Sequence, residues 1–286
     1  MLSMTVACAT AARRSFTVNG LTLRALEWGT PGGPVLCFLH GGSAHAHWWD
    51  AVAAAFADRY HVLALDQRGH GESDWPPSPA EGTAYATENF VADLLGVADA
   101  LGGEPLMLCG HSMGGHNSMA FAAWHPERVR RLIVVDSRPS IPTDRLDHMH
   151  RRGHRGPLRH ESLELAVKSF RLLPPDTVAE PALLEHLAHA GIVERDGRFL
   201  YRFDPAANGG RSPVDVLPLL PKIAAPTLLV RAERSAVLPR ATAEEMARRL
   251  ADVRLEEIPD AYHHLVLDQP AAFTAVLDRF LTETRA

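Results

Sequence analysis

The chain has 286 residues, enough for one large α/β domain with an insertion or for two small domains. Apolar residues make up 46% and charged residues 22%, an ordinary globular balance, and a net charge of −5 gives no basic field that would favour nucleic acid. No apolar run reaches membrane-spanning length, so neither a nucleic acid nor a membrane is expected as a partner.

Met1 to Ser15 carries a short apolar patch followed by Arg13-Arg14, the reverse of the order a secretory signal needs. Residues 1–14 therefore read as a flexible N-terminal tail, with Met4 an alternative start. Phe16-Thr17-Val18 and Leu21-Thr22-Leu23 flank Asn19-Gly20, a two-residue hairpin signal that predicts an antiparallel pair at a sheet edge. Short apolar runs follow at Val35–Leu39, Val62–Leu65, Leu106–Cys109, Leu132–Val135 and Thr227–Val230. Each is apolar on both faces, as central parallel strands are when helices cover both sides. Helical patterns fill Ala46–Ala57, Thr87–Leu101, Ser112–Trp124, Ala241–Leu250 and Ala271–Leu281, and a last strand is predicted at Val253–Ile258. The alternation predicts an open, doubly wound, mostly parallel α/β sheet.

The rhythm breaks between Ser137 and about Ser212, where Pro157, Pro174-Pro175, Pro181 and Pro205 separate helical fragments. Residues 138–212 are expected to form a helical cap over a core made of 15–137 and 213–286. Residues 138–172 hold eight Arg or Lys against four Asp or Glu, with His148, His150, His154 and His160 among them. A solvated helix face accounts for such a run; cations turned into a cleft would instead favour an anionic small-molecule substrate. The sequence leaves both readings open, and it leaves the oligomeric state unknown.

Residues 110 to 115 read Gly-His-Ser-Met-Gly-Gly directly after the run Leu106–Cys109. Strand, tight turn on Ser112 and small-residue helix form the context of a G-x-S-x-G nucleophile elbow. Ser112 must stand on a sharp turn to clear the sheet, and Gly110 and Gly114 avoid a collision across it. The helix behind it offers free N–H groups to developing negative charge. His40-Gly41-Gly42-Ser43 follows Val35–Leu39, at the end of a central strand where ligands bind, so the Gly42 and Met113 amides are the expected oxyanion donors. Trp48-Trp49 are candidates for an apolar pocket wall, with core packing the alternative, and His111 beside Ser112 is assigned to the same substrate pocket. Asp66-Gln67-Arg68-Gly69-His70-Gly71-Glu72-Ser73 reads as a loop tied down by Asp66 and Arg68. A serine needs a base. Of 16 histidines, His263 and His264 lie between the last strand and last helix, at the sheet end that carries Ser112. Cys8, Cys37 and Cys109 form no metal or disulfide pattern; Cys37 and Cys109 sit in strand runs as buried thiols, and a reducing cytoplasm fits.

Together these residues resemble the α/β-hydrolase superfamily, from about Phe16 to Leu281. Ser112 matches its nucleophile, His40-Gly41-Gly42 its oxyanion loop, and Asp66 to Ser73 its D-x-R-G-x-G-x-S segment. The resemblance selects His263 as base, because the family histidine stands five residues before an aspartate that Asp268 resembles. The family acid follows the strand resembled by Thr227–Val230, where this chain has Ala236. Three readings stand for the acid: Asp136, a place some family members use; Glu233; or none. Asp136 is the expected one. The resemblance implies a serine hydrolase that cleaves a carboxylic ester through an acyl-enzyme, with no metal and no cofactor. Lactone or carbon–carbon bond hydrolysis, or a non-hydrolytic role with His263 as base, stay open at the level of the fold. Dehalogenase or epoxide chemistry fits less well, because those relatives need a carboxylate nucleophile where this chain has Ser112.

Overall fold

A computed structural model describes residues 11–77, 84–154 and 156–283. Eight strands form one sheet: β1 (Ala12–Val18), β2 (Leu21–Trp28), β3 (Val35–Leu39), β4 (His61–Asp66), β5 (Leu106–His111), β6 (Val129–Val135), β7 (Thr227–Ala232) and β8 (Val253–Ile258). Their spatial order is β1-β2-β4-β3-β5-β6-β7-β8. β1 and β2 form the antiparallel hairpin, with Asn19 (φ 49°) and Gly20 (φ 76°) in the left-handed conformation that a tight hairpin turn requires. β2 meets β4 antiparallel, and from β4 to β8 every pairing is parallel. The fold is thus the doubly wound, mostly parallel α/β sheet that the alternation predicted.

The tail expected at 1–14 ends earlier than its composition suggested. Ala12, Arg13 and Arg14 pair with Glu27, Leu26 and Ala25 in the first hairpin. Residues 1–10, with Cys8 among them, lie outside the described residues.

All residues of β3, β4, β5 and β7 are buried, so their side chains must serve two cores. Alternation does this. Cys37 and Leu39 join Leu63, Leu65, Leu106 and Leu108 on one face, against α1 (Thr87–Ala100), α2 (Met113–Trp124) and α6 (Arg240–Arg249). Leu36 and Phe38 join Val62, Ala64, Met107 and Cys109 on the other, against α7 (Pro270–Thr282) and the segment from Ala46 to Phe56. That segment was predicted as one helix. It is a 3-10 turn (Ala46–Trp49), one α turn (Asp50–Ala53) and another 3-10 turn (Ala54–Phe56). Trp49, Val52, Ala53 and Phe56 are buried at the i, i+3, i+4, i+7 spacing of an apolar helical face, so the predicted face is present although the turns are short and mixed.

Between β6 and β7 the chain forms α3 (Thr143–Gly153), α4 (Leu163–Ser169) and α5 (Pro181–Ala190). A hairpin of Ile192–Arg195 with Arg198–Tyr201 follows, which the absence of a buried-strand run had hidden. Only Ile192 and Leu200 of its strands are buried, so its residues need no continuous apolar pattern. Among the described residues no helix is long and apolar enough to cross a membrane.

Candidate functional site

The turn at Ser112 is built by close backbone approach. Ser112 has φ 51° and ψ −114°, and its N–H donates to Val135 O at 3.0 Å, fixing the turn to the end of β6. Such a backbone is costly for a residue with a Cβ and persists only where the surroundings over-determine it. The surroundings do so here. A Cβ on Gly110 would lie 2.3 Å from Gly114 O, and one on Gly114 would lie 2.3 Å from Leu39 O. One on Gly115 would lie 2.6 Å from Ser137 Cβ. Three glycines thus let α2 start directly behind the serine, with its first N–H, that of Met113, free of any intrahelical acceptor.

Facing this turn is the loop after β3. His40 Nε2 accepts from Gln67 N–H at 3.1 Å, so its Nδ1 carries the proton and donates to Gly41 O at 2.7 Å. Burial holds His40 well below the ordinary imidazole range, so it stays neutral in this bracing role. The Gln67 amide donates to His40 O and accepts from Asn117 of α2, both at 2.8 Å. The loop that carries Gly42 is therefore fastened to the helix that carries Met113. Asp66 and Arg68 tie down the neighbouring loop as expected. Asp66 accepts from Ala46 N–H at 2.7 Å and Glu72 N–H at 2.9 Å, while Arg68 forms a buried two-point pair with Asp93 at 2.6 and 2.7 Å.

The structure brings together three of the side chains singled out in the sequence. Ser112 Oγ lies 3.0 Å from His263 Nε2, and His263 Nδ1 lies 2.7 Å from Asp136 Oδ2. Asp136 follows β6 with φ 44° and is fully buried. A buried carboxylate needs donors. Asp136 has three: His263 Nδ1–H, the Ala232 N–H at 3.0 Å and the Ser235 hydroxyl. Ser235 also accepts from the Val237 and Leu238 N–H groups at 3.0 Å, which pins the loop after β7. Ser235 was not singled out in the sequence; its only signal is its place just before Ala236. Asp268 accepts from Tyr262 N–H at 2.8 Å and Val178 N–H at 3.0 Å, so it holds the His263 loop to the chain preceding α5.

Glu233 is exposed and takes no part: its carboxylate caps Asp260 N–H at 2.9 Å. His264 is turned away from Ser112 and donates through Nε2 to Pro174 O at 3.0 Å. Burial, and then the neighbouring His263, push His264 down to about 3.

The cleft above Ser112 has a volume of about 710 Å³ and is lined by Gly42, Ser112, Met113, Arg211, Ala236 and His263 among others. Three residues assigned to the substrate pocket lie elsewhere. Trp49 is fully buried, with its ring 4.7 Å from Phe38 and 6.3 Å from Phe273. Trp48 is 5% exposed and packs edge-on to His264 at 5.1 Å. Both belong to the core, where their large apolar area is better buried. His111 lies beneath the site and donates through Nε2 to His263 O at 2.8 Å. Burial, then His263 and His264, hold it well below the ordinary imidazole range. It supports the backbone of His263 rather than facing the cleft. The thiols of Cys37 and Cys109 are buried, and burial pushes Cys37 up to about 12.

Among the described residues, two groups bring possible metal-ligand atoms within 4.8 Å of one another: His111 with His263 and His264, and His47 with Asp50 and His186. In the first, both His263 nitrogens are engaged by Asp136 and Ser112; in the second, Asp50 accepts from both histidines at 2.8 Å.

Similar proteins are known. A family profile described as the alpha/beta hydrolase fold matches residues 34–270. The chain is 28% identical over 273 residues to the 2-(acetamidomethylene)succinate hydrolase of Mesorhizobium japonicum, covering 94% of each. It is 29% identical to Epoxide hydrolase 4 of Mus musculus, over 93% of this chain and 77% of that protein. Its structure matches the crystal structure of an E-2-(acetamidomethylene)succinate hydrolase with a TM-score of 0.83 at 27% identity, over 96% of this chain and 100% of the other. An enol-lactonase from Burkholderia xenovorans matches with a TM-score of 0.78 at 24% identity, over 94% and 100%, a likeness of fold alone.

Proposed function

The chain belongs to the α/β-hydrolase fold family, and from that premise we propose that it is a serine hydrolase cleaving a carboxylic ester of a small molecule through an acyl-enzyme. The observation that carries this reading is the relay of Ser112, His263 and Asp136, joined at 3.0 and 2.7 Å. Ser112 Oγ attacks the ester carbonyl while His263 Nε2 takes its proton. The negative charge that develops on the carbonyl oxygen is met by the Gly42 and Met113 N–H groups. Asp136, acceptor at Nδ1–H, holds the tautomer that leaves Nε2 free to act as base and stabilises the imidazolium. His263 then returns the proton to the departing alkoxide. Water, deprotonated by the same nitrogen, releases the acid and restores Ser112.

Relatedness to an epoxide hydrolase does not transfer epoxide opening. Attack on an epoxide by a carboxylate yields an ester that water can cleave at its carbonyl. Attack by Ser112 would yield an ether with no carbonyl, and turnover would stop. The serine therefore favours acyl transfer.

The test pairs a fluorophosphonate probe with a panel of short p-nitrophenyl esters. The wild-type protein should label at Ser112 and hydrolyse at least one ester. Ser112→Ala should do neither while keeping its circular dichroism spectrum. Labelling of Ser112→Ala at the wild-type rate would assign the chemistry to another residue. A wild-type protein that neither labels nor turns over any ester would fit a non-hydrolytic member of the fold.

A further inference from the structure

Arg211 is 8% exposed, yet it forms no ion pair with any of the described residues, and its guanidinium donates no hydrogen bond to them. Burial alone moves it, down to about 10, so it remains a cation at neutral pH. Buried cations are ordinarily paired, because leaving water without a counter-charge is expensive. Arg211 instead lines the cleft, with Nη1 3.7 Å from where a Cβ on Gly42 would stand.

The backbone around Arg211 is firmly placed. Its carbonyl accepts from His150 Nε2 at 2.8 Å. Arg211 and Ser212 pair in parallel with Tyr85 and Ala86. Just before it, Gly209 lies so close to the end of α3 that a Cβ on Gly153 would be 2.1 Å from Gly209 N. The nearby His116 cannot supply a negative charge and is held neutral, down to about 3, by burial and then by Arg211 itself. The rest of the cleft is also cationic: among the described residues, Arg138, Arg145, Arg151 and Arg152 line it against the single carboxylate of Asp144. Arg138 and Arg145 reach the carbonyls of Val237 and Ala236 at 3.3 and 3.0 Å, respectively, on the wall beside Ser235.

We propose that Arg211 docks a carboxylate of the substrate itself, so that the ester taken carries an anionic group a few bonds from the scissile carbonyl. The short reach follows from position, since the same Gly42 that would hold the carbonyl oxygen adjoins the guanidinium. A guanidinium offers paired N–H donors that match a carboxylate fork. This assignment rests on the serine-hydrolase reading only for what happens after docking; the docking itself does not need it.

The experiment therefore has a catalytic arm and a binding arm. In the first, kcat/KM is measured for monoethyl succinate and for its neutral isostere ethyl succinamate, with wild type, Arg211→Gln and Arg211→Lys. Wild type should prefer the anionic ester by a factor of about 100 or more, and Arg211→Gln should lose that preference while changing the neutral ester by less than about threefold. Arg211→Lys should recover part of the preference. Equal losses on both esters would instead make Arg211 a stabiliser of the oxyanion and overturn the proposal. In the second arm, succinate and succinamide are compared as thermal stabilisers and as protectants against fluorophosphonate labelling. Succinate should raise the wild-type melting temperature, and that of Arg211→Gln should not move. If succinate has no effect on wild type, the proposal is wrong even where Ser112 labels normally. If succinate binds through Arg211 but nothing labels, the docking stands and the serine-hydrolase reading falls.

Discussion

Asp136→Asn should nearly abolish turnover while leaving the site assembled. The carboxylate has two distinct ends: Oδ1 accepts from Ala232 N–H at 3.0 Å, and Oδ2 accepts from His263 Nδ1–H at 2.7 Å and from the Ser235 hydroxyl. An asparagine has one acceptor end and one donor end. If its oxygen stays with Ala232, its NH₂ faces His263 Nδ1 and drives the proton to Nε2, which can then no longer accept from Ser112. If it flips, the NH₂ opposes the Ala232 N–H and a buried donor is left without a partner. The first orientation keeps the backbone bond and gives the wrong tautomer. The comparable change in a serine-protease relay lowers turnover by about 10⁴, or roughly 5.5 kcal/mol of transition-state stabilisation. Steady-state kinetics on a short p-nitrophenyl ester at about pH 8 should show the loss in kcat with KM nearly unchanged. Glu233→Gln, on the exposed side of the same loop, should be close to silent. Adding Ala236→Asp to Asp136→Asn should restore part of the rate, because residue 236 adjoins Ser235, which already touches the carboxylate. Retention of activity within about tenfold by Asp136→Asn would refute the reasoning and leave a relay that works without its acid.

Three further outcomes follow from the same geometry. His263→Ala should cost several orders of magnitude in turnover, whereas His264→Ala, which removes the bond to Pro174 O, should chiefly lower the melting temperature; equal catalytic losses would remove the distinction between them. Ser235→Ala strips a donor from Asp136 and an acceptor from two backbone N–H groups, so chemical denaturation should report a loss of about 1–3 kcal/mol with less than about a tenfold fall in kcat. A stability unchanged within error would show that Ser235 is not what holds that loop. Acid should also destabilise the fold. His45, His116 and His264 are depressed to about 3 and His70 to about 4, all foremost by burial, so they stay neutral when folded and protonate when unfolded. Their contribution is complete above the unfolded value of about 6.5 and is lost as pH falls below it, at up to about 1.4 kcal/mol per pH unit for each. Asp66, raised to about 6 foremost by burial, and His47, raised against the effect of burial by its bond to Asp50, work in the opposite direction but are outnumbered by the four depressed histidines. Urea midpoints should therefore drop clearly between pH 7.5 and pH 5, and a flat profile would contradict the buried-neutral assignment.

Features determined locally were legible in the sequence, and features assembled across the sheet were not. The Ser112 turn was readable because all its constraints fall within a few residues: Gly110 must pass Gly114 O, and Ser112 must end a strand and precede a helix. Asp136 was expected as the acid only through the family resemblance, since nothing local sets it apart from an ordinary aspartate at a strand end. It meets His263 because β6 and β7 lie side by side, pairing Val135 with Val230 and bringing Ala232 and Ser235 to its carboxylate from almost a hundred positions away. Trp48 and Trp49 could not be placed because burial in a core and exposure in an apolar pocket draw on the same composition. Arg211 was invisible for a related reason: its surroundings are brought together from distant segments, with Tyr85 pairing with it and His150 Nε2 reaching its carbonyl. The two outlying features bear on each other. Alanine at 236 adds no charge to the cleft wall beside Arg138 and Arg145, where Asp144 is the one carboxylate among the described lining residues, and the carboxylate that meets His263 sits fully buried at Asp136 instead. An aspartate at 236 would add negative charge to that wall, next to the Arg145 guanidinium that donates to the Ala236 carbonyl. Under the proposed relay, an acid at the end of β6 serves His263 without adding negative charge at 236, which links the departure at Ala236 to the proposed role of Arg211. On that account Ala236→Asp should weaken discrimination in favour of an anionic ester even in an otherwise wild-type protein.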